Sequence, residues 1–292
     1  MRIRVPASSA NLGAGFDCFG IAWNMYNTID FSLDTDGLRI SGCEEEFCNE
    51  SNLSYVAFKK TLDYAGRACP PVAISFGETQ IPVSRGLGSS AALSAAGVIA
   101  ADSLMGLNLA DDEKLQIASL IEGHPDNVAP ALFGGFTVSV TDGERAVSRN
   151  FPISDKLYFA AIIPPFRLST ALSRSVLPER PSRGDAVFNI GRAALFTKAI
   201  AEGDSKLIKV SMQDKIHQDY RFPWIDGWQE ALAAAEKCGA LACCLSGAGS
   251  TLLALSDNED FGIKLKNAIL QIHPLWEVRS VQPDYNGARI IG

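Results

Sequence analysis

The segment PVSRGLGSSAAL, residues 82–93, places the strongest constraint on what this chain can fold into. Its two glycines, Gly86 and Gly88, let the backbone curl so that consecutive amides point at one anion. An alanine-rich helix is predicted to begin at Ser89, and its positive end faces the same place. The segment therefore predicts a phosphate-binding loop, in which the hydroxyls of Ser89 and Ser90 serve a phosphate oxygen and a magnesium ion.

Three other interpretations of this loop have to be weighed. A Walker loop needs Gly-Lys followed by Ser or Thr, and the chain has no Gly-Lys dipeptide. Gly86 to Ala91 fits the dinucleotide pattern G-x-G-x-x-A, but the nearest predicted strand ends about ten residues earlier, and no acidic residue closes a second strand about twenty residues on. A loop that merely caps a helix stays open as the structural alternative.

Two further segments are rich in glycine and small residues. PASSANLGAGFDCFG, residues 6–20, follows the first predicted strand and predicts a close-packed turn near a ligand, with Asn11 and Asp17 as polar contacts. CLSGAGSTLLAL, residues 244–255, suits either a hairpin turn or a loop that closes on a phosphate or on residues 6–20. Taken singly, each also fits an ordinary loop with Asx turns.

Composition excludes several classes of protein. The net charge of −7 disfavours a nucleic-acid partner, because binding to a phosphate backbone needs a basic face. The seven cysteines form no Cys-x-x-Cys pair and the three histidines are far apart, which predicts reduced thiols and no structural zinc site. The first residues lack a signal-peptide core, and no apolar run of 18 residues occurs, so we expect a soluble, cytoplasmic protein without membrane contact.

The spacing of apolar residues predicts two α+β units. The first has strands over 2–5, 28–33, 72–76 and 135–140 and helices over 52–65 and 89–104. After Phe151-Pro152 the pattern begins again, with a strand over 157–163, helices near 170–176, 185–201 and 226–238, a hairpin over 240–245 and 251–255, a helix over 260–272 and a strand over 277–282. The predicted domains are therefore 1–153 and 154–292.

In this order, the three glycine-rich segments resemble the three motifs of the GHMP kinases, and the resemblance spans nearly the whole chain. It implies a two-domain fold, with an N-terminal ribosomal-protein-S5-like ATP-binding domain and a C-terminal ferredoxin-like α/β domain, and it implies ATP as co-substrate with Mg²⁺. Ala14 stands where the family motif usually has proline, which affects loop rigidity rather than chemistry. Residues 121–136, Ser169-Thr170 with Arg174, and Arg221 are similar to the branch that phosphorylates L-homoserine.

The resemblance implies roles for individual residues at the nucleotide end. The ATP-binding residues would be Asn52, Pro82, Val83, Ser84, Arg85, Gly86, Leu87, Gly88, Ser89, Ser90, Ala91 and Ala92. Ser90 and Glu122 would hold Mg²⁺ and, together with Asn127, form the catalytic set. The alternatives are that Asn52 simply caps its helix and that Glu122 is a solvated carboxylate at a helix end.

A homoserine zwitterion needs a carboxylate clamp, an ammonium acceptor and a contact for its hydroxyl. Residues 157–197 contain five arginines and no lysine, a bias toward the two-point grip of a carboxylate. By resemblance, the substrate-binding residues would be Arg174 and Arg221 for the carboxylate, Asn11 and Asp17 for the ammonium group, and His124, Asn127 and Thr170 around the remainder.

The proton acceptor is the least constrained part of the predicted site. We expect Asn127 to orient the hydroxyl while its proton leaves to a phosphate oxygen or water, because a loose transition state needs little base assistance. Asp17, Asp126 and His124 are the alternative bases. Two rival functions also stay open: another GHMP kinase, of the mevalonate or diphosphocytidyl-methylerythritol type, and a non-catalytic ligand sensor on the same fold. The resemblance is also compatible with a homodimer.

Overall fold

A computed structural model describes residues 1–292, and its helices and strands build two sheets. The first half contains β1 (Arg2–Ala10), β2 (Phe19–Leu33), β3 (Leu38–Ser41), α1 (Leu53–Tyr64), β4 (Val72–Thr79), α2 (Ser89–Met105), α3 (Asp111–Glu122), α4 (Val128–Phe133), β5 (Phe136–Asp142) and β6 (Arg145–Phe151). The second half contains β7 (Tyr158–Ile163), α5 (Thr170–Ser175), α6 (Arg183–Glu202), α7 (Ser205–Ser211), α8 (Gln218–Arg221), α9 (Trp228–Lys237), β8 (Ala242–Leu245), β9 (Leu252–Ser256), α10 (Phe261–Ile272), β10 (Glu277–Val281) and β11 (Arg289–Ile290).

The first sheet has seven strands and is organised around the long strand β2. Its main path runs β11-β1-β2-β4-β3, and β5 joins β2 to β6. Helix α2 packs on β1 and against α1, α3 and α4. The packing is tight because α2 is rich in alanine: a Cβ at Gly97 would lie 2.2 Å from the carbonyl oxygen of Ser54 on α1. The glycine-serine loop is therefore anchored to a rigid, buried helix.

The second sheet has four antiparallel strands in the order β10-β7-β9-β8. With α9 and α10 it gives the β-α-β-β-α-β arrangement of a ferredoxin-like domain. Phe159, Ala161 and Ile163 of β7 enter the main core shared with the first sheet, while Ala160 and Ile162 enter a second core beneath α9 and α10. Burial on both faces explains the unbroken apolar run of this strand.

The two-domain α+β prediction is confirmed, and the structure adds elements that the pattern did not predict. These are β3, β6, β11, α3, α4, α7 and α8, and β2 is far longer than the predicted strand. The pairing of Ile290 with Ile3 places β11 in the first sheet, beside β1. The boundary at residue 153 lies between β6 and β7 and stays a prediction. None of the helices combines the length and apolar character that crossing a membrane requires.

Candidate active site

The three glycine-rich segments meet in space and are hydrogen-bonded to one another. The Asn11 side chain donates to the Gly247 carbonyl at 2.8 Å, and the Gly247 amide returns a bond to Ala10 at 3.0 Å. The Thr251 amide donates to the Arg85 carbonyl at 3.1 Å, which joins the third segment to the serine-rich loop. Residues separated by more than 230 positions in sequence therefore form one continuous surface.

The serine-rich loop presents a run of free amides. None of the backbone amides from 85 to 91 donates to another protein group. Ser84, Gly86 and Gly88 have φ values of 56°, 74° and 67°, so every second residue of the loop is left-handed. Such alternation turns successive amides toward one side and forms an anion-binding nest, here placed at the positive end of α2.

The two glycines of the nest are required by close approach as well as by conformation. A Cβ at Gly86 would lie 2.2 Å from the Ser246 carbonyl oxygen, and one at Gly88 would lie 1.9 Å from Ser8 Oγ. Helix α2 has no side-chain cap at its start. The loop therefore does not act as an ordinary helix cap, which was the structural alternative for this segment.

Ser90, Ser94 and Glu122 form an oxygen cluster beside the nest. Ser90 Oγ and Ser94 Oγ donate to Glu122 Oε1 at 2.6 and 2.8 Å. Glu122 ends α3 and is half-buried, so it is not the freely solvated carboxylate of the alternative interpretation. A carboxylate with a hydroxyl next to a phosphate nest fits Mg²⁺, which prefers oxygen ligands and binds with few protein groups when phosphates complete its shell.

The segment after Glu122 carries His124, Asp126 and Asn127. His124 Nδ1 is hydrogen-bonded to the carboxylate of Asp126, which also accepts from the Asn127 amide at 2.7 Å. Burial lowers the pKa of His124, but its hydrogen bond to Asp126 and that carboxylate's charge outweigh burial and hold the pKa above its ordinary value. Asn127 Oδ1 accepts from Ser8 Oγ at 2.9 Å, and the Ser8 amide donates to Leu87, so Asn127 lies beside the nest.

Asp17 and Arg174 form a two-point ion pair between the β1–β2 loop and α5. Arg174 Nη1 and Nη2 donate to the two carboxylate oxygens of Asp17 at 3.0 and 2.9 Å. Asn11 Oδ1 accepts from the Asp17 amide at 2.9 Å and so fixes the loop around it. Thr170 begins the same helix as Arg174 and is exposed. The structure thus brings four predicted substrate residues into one neighbourhood.

Arg221 is almost fully buried. It is 2% exposed, and its guanidinium donates to the carbonyls of Ser173 and Gly247 at 3.0 and 3.3 Å. Burial and the positive charge of Arg174 lower its pKa to about 10, so it stays charged at neutral pH. Among the five arginines of residues 157–197, Arg167 pairs with Glu44 at 2.8 Å on the surface.

Asn52 and Arg85 are committed to structural contacts. Asn52 is 3% exposed, accepts from the Ser54 amide at 3.0 Å and donates to the Phe47 carbonyl at 3.0 Å. Its side chain therefore caps the start of α1, which favours the interpretation of Asn52 as a helix cap. Adenine binding by Asn52 stays a prediction. The Arg85 side chain donates to the Pro164 carbonyl and ties the nest to the second domain.

Sequence reasoning missed several groups that complete the site. Ser94 lies four residues after Ser90, and His217 lies four residues before Arg221, so helical spacing offered a signal for both. Ser8 and Phe16 lie inside the first glycine-rich segment, but their contacts depend on how distant segments meet. No local pattern predicts such contacts.

Comparison with known families agrees with this architecture. The model of the GHMP kinases N terminal domain matches residues 52–135, and that of the GHMP kinases C terminal matches residues 196–273. A mevalonate kinase from L. major superposes with a TM-score of 0.74 at 15% identity over 96% of this chain and 95% of its own, a likeness of fold. The two sheets and the joined glycine-rich loops are those of a GHMP kinase.

Full-length relatives narrow the family further. Homoserine kinases of Clostridium beijerinckii and Clostridium botulinum are 44% and 42% identical to the chain, covering 99% and 98% of it and 98% and 97% of their own length. The crystal structure of homoserine kinase from Cytophaga hutchinsonii superposes with a TM-score of 0.90 at 28% identity, covering 100% of this chain and 97% of the other. The chain belongs to the homoserine kinase family.

Proposed function

We propose that this protein transfers the γ-phosphoryl group of ATP to the side-chain hydroxyl of L-homoserine, giving O-phospho-L-homoserine and ADP. The observation that carries the proposal is the short segment 122–127. Glu122 lies beside the amide nest, Asn127 contacts Ser8 next to the nest, and His124 is close enough to Asp17 and Arg174 for both charges to act on its pKa. One segment therefore links a phosphate site to a site for a zwitterion.

At the phosphate end, the free amides from 85 to 91 and the start of α2 bind the polyphosphate of ATP. Ser90 and Glu122 would hold Mg²⁺, which would supply positive charge against the phosphates. Little covalent chemistry is required of the protein, so positioning and charge carry the catalysis.

At the substrate end, the ion pair of Asp17 and Arg174 opens to receive the zwitterion. Asp17 takes the ammonium group, and Arg174 with the deeper Arg221 takes the carboxylate. Asn11 fixes the Asp17 loop, while His124 and Thr170 line the remainder.

Asn127 orients the hydroxyl, and the proton leaves to a phosphate oxygen or to water. The contacts of the three alternative bases support this assignment. The raised pKa of His124 keeps its imidazole protonated to a higher pH, the Asp126 carboxylate is buried and hydrogen-bonded, and Asp17 is assigned to the ammonium group of the substrate. A loose transition state makes strong base assistance unnecessary.

The test is an ADP-release assay with L-homoserine, L-serine, mevalonate and galactose as acceptors, with and without Mg²⁺. We expect Mg²⁺-dependent turnover of L-homoserine alone, since L-serine places its hydroxyl one carbon short. Turnover of mevalonate would favour another GHMP branch, and nucleotide binding without turnover of any acceptor would favour the sensor. The activity belongs to threonine biosynthesis. The cytoplasmic location and the homodimer stay predictions.

A further inference from the structure

His217 is a fully buried histidine between the β1–β2 loop and Arg221. It is 0% exposed; Nε2 lies 2.9 Å from the Gly13 carbonyl oxygen and Nδ1 lies 3.4 Å from Arg221 Nη1. A guanidinium only donates and a carbonyl only accepts, so Nε2 carries the proton and Nδ1 accepts. The two partners therefore define one neutral tautomer, in which the imidazole links the β1–β2 loop to Arg221 of α8.

The charges that face the imidazole are already engaged with other groups. The Asp214 carboxylate lies 3.8 Å from Nε2, but it accepts from the Asn189 side chain at 2.6 Å and from the amides of His217 and Gln218 at 2.9 and 2.8 Å. Arg221 faces the imidazole from α8, and Asp17 acts on it from the loop. Burial lowers the pKa of His217 to about 4, in agreement with a neutral ring.

Phe16 adds an aromatic surface shared by both arginines. Its ring stacks on His217 with centroids 5.2 Å apart and planes 26° apart. The guanidinium carbons of Arg221 and Arg174 lie 5.2 and 6.0 Å from the same ring centroid. Phe16 therefore packs against both guanidinium groups and stacks on the imidazole that contacts Arg221.

We propose that His217 is a positioning residue: by joining the Gly13 carbonyl to Arg221, it fixes the guanidinium that receives the substrate carboxylate. Without it, Arg221 would still be held by the carbonyls of Ser173 and Gly247, so the side chain would stay buried but lose one of its fixed contacts. The inference rests on the proposed function and adds a residue to it that does not itself touch the substrate.

The test separates positioning from simple packing with two substrates. L-homoserine is compared with n-propanolamine, which keeps the ammonium and hydroxyl groups at the same spacing but lacks the carboxylate. Turnover of n-propanolamine is measured with enzyme in excess, so that kcat/KM comes from a single turnover. We expect His217→Leu to raise the KM for L-homoserine roughly tenfold, as expected for loss of a hydrogen bond to a charged group, and to leave the KM for ATP unchanged.

For n-propanolamine, kcat/KM of the leucine variant should equal that of the unchanged enzyme, since no carboxylate is present. His217→Gln should restore homoserine saturation, because its amide can donate to Gly13 and accept from Arg221. If the leucine variant does not fold, His217→Asn replaces it and is assayed with the same two substrates. The asparagine side chain is one methylene shorter than glutamine and cannot reach both partners.

Equal losses with both substrates, or a parallel rise in the KM for ATP, would mean that His217 only supports the fold. Such an outcome leaves the proposed function intact, because the unchanged enzyme still phosphorylates L-homoserine. Failure of the unchanged enzyme to turn over L-homoserine would instead refute the proposed function itself.

Discussion

Arg174 and Asp17 hold each other through two parallel hydrogen bonds of 3.0 and 2.9 Å, although they come from different halves of the chain. These are the groups assigned to the two ends of the substrate zwitterion. Both side chains are partly exposed, at 40% and 35%, and an ion pair of this kind contributes little to stability. The pair therefore exchanges readily for a ligand that offers an ammonium group to one partner and a carboxylate to the other.

Arg174→Ala should raise the KM for L-homoserine by about 10- to 100-fold with a smaller effect on kcat, because a charge-assisted two-point contact is lost. Arg174→Lys is the matched control, since it keeps the charge but gives a single-point contact. Its KM for L-homoserine should lie between those of the unchanged enzyme and Arg174→Ala. Steady-state saturation curves measure the effect. An unchanged homoserine saturation curve in Arg174→Ala would remove Arg174 from the carboxylate site.

Glu122→Gln should lower kcat by about a hundredfold, since the carboxylate assigned to Mg²⁺ becomes neutral. The Mg²⁺ concentration for half-maximal rate should rise with it. Ser94→Ala removes only one hydrogen bond to Glu122 Oε1, and kcat should fall by less than about tenfold. Full activity of Glu122→Gln at low Mg²⁺ would show that this carboxylate is not a ligand of the ion.

Gly86→Ala should abolish measurable ATP binding and lower the melting temperature, because a Cβ there would lie 2.2 Å from backbone. Gly66→Ala is a matched control: its φ of 64° resembles the 74° of Gly86, but a Cβ there meets nothing within 4 Å. The control should cost roughly 1 kcal/mol of stability from backbone strain and leave nucleotide affinity unchanged. Calorimetric ATP titration of both variants distinguishes a nest defect from general strain, and normal ATP affinity in Gly86→Ala would refute the nest.

Acid should destabilise the fold through His217. Its folded pKa of about 4 lies below the ordinary value of 6.5, so the unfolded chain binds more protons between these limits and stability falls as pH decreases from about 6.5 to about 4. The full shift corresponds to at most roughly 3 kcal/mol. His124 changes stability with pH in the opposite direction. Its raised pKa stabilises the fold below pH 6.5, and that contribution is lost as pH rises.

Urea unfolding of the unchanged protein and His217→Gln, measured across this pH range, isolates the His217 contribution. The difference in unfolding free energy between the two proteins should change with pH only below about 6.5. A difference that stays constant from pH 6.5 to pH 4 would mean that His217 takes up its proton as readily in the folded protein as in the unfolded chain.

Much of the site could be predicted because its chemistry is local in sequence. The positive φ values of Gly86 and Gly88 and the start of α2 follow from one short glycine-serine segment. The free amides follow from the same local geometry. The unbroken apolar run of β7 likewise predicts a strand that is buried on both faces.

The remainder depends on long-range contacts. Arg221 is buried because the third glycine-rich segment and α5 close over it, and no pattern in the neighbouring residues predicts that burial. His217 acquires its partners only when Gly13, more than 200 positions away, folds against it. The return of β11 to β1 depends on two residues, too few to give a periodic signal.

The most direct test of the account is a crystal structure with L-homoserine, Mg²⁺ and a non-hydrolysable ATP analogue bound together. It should show the amides from 85 to 91 on the phosphates, Ser90 and Glu122 at the ion, and the homoserine carboxylate on Arg174 and Arg221 with its ammonium group on Asp17. Phosphates bound away from residues 85–91, or an Asp17–Arg174 pair left closed beside bound homoserine, would contradict it.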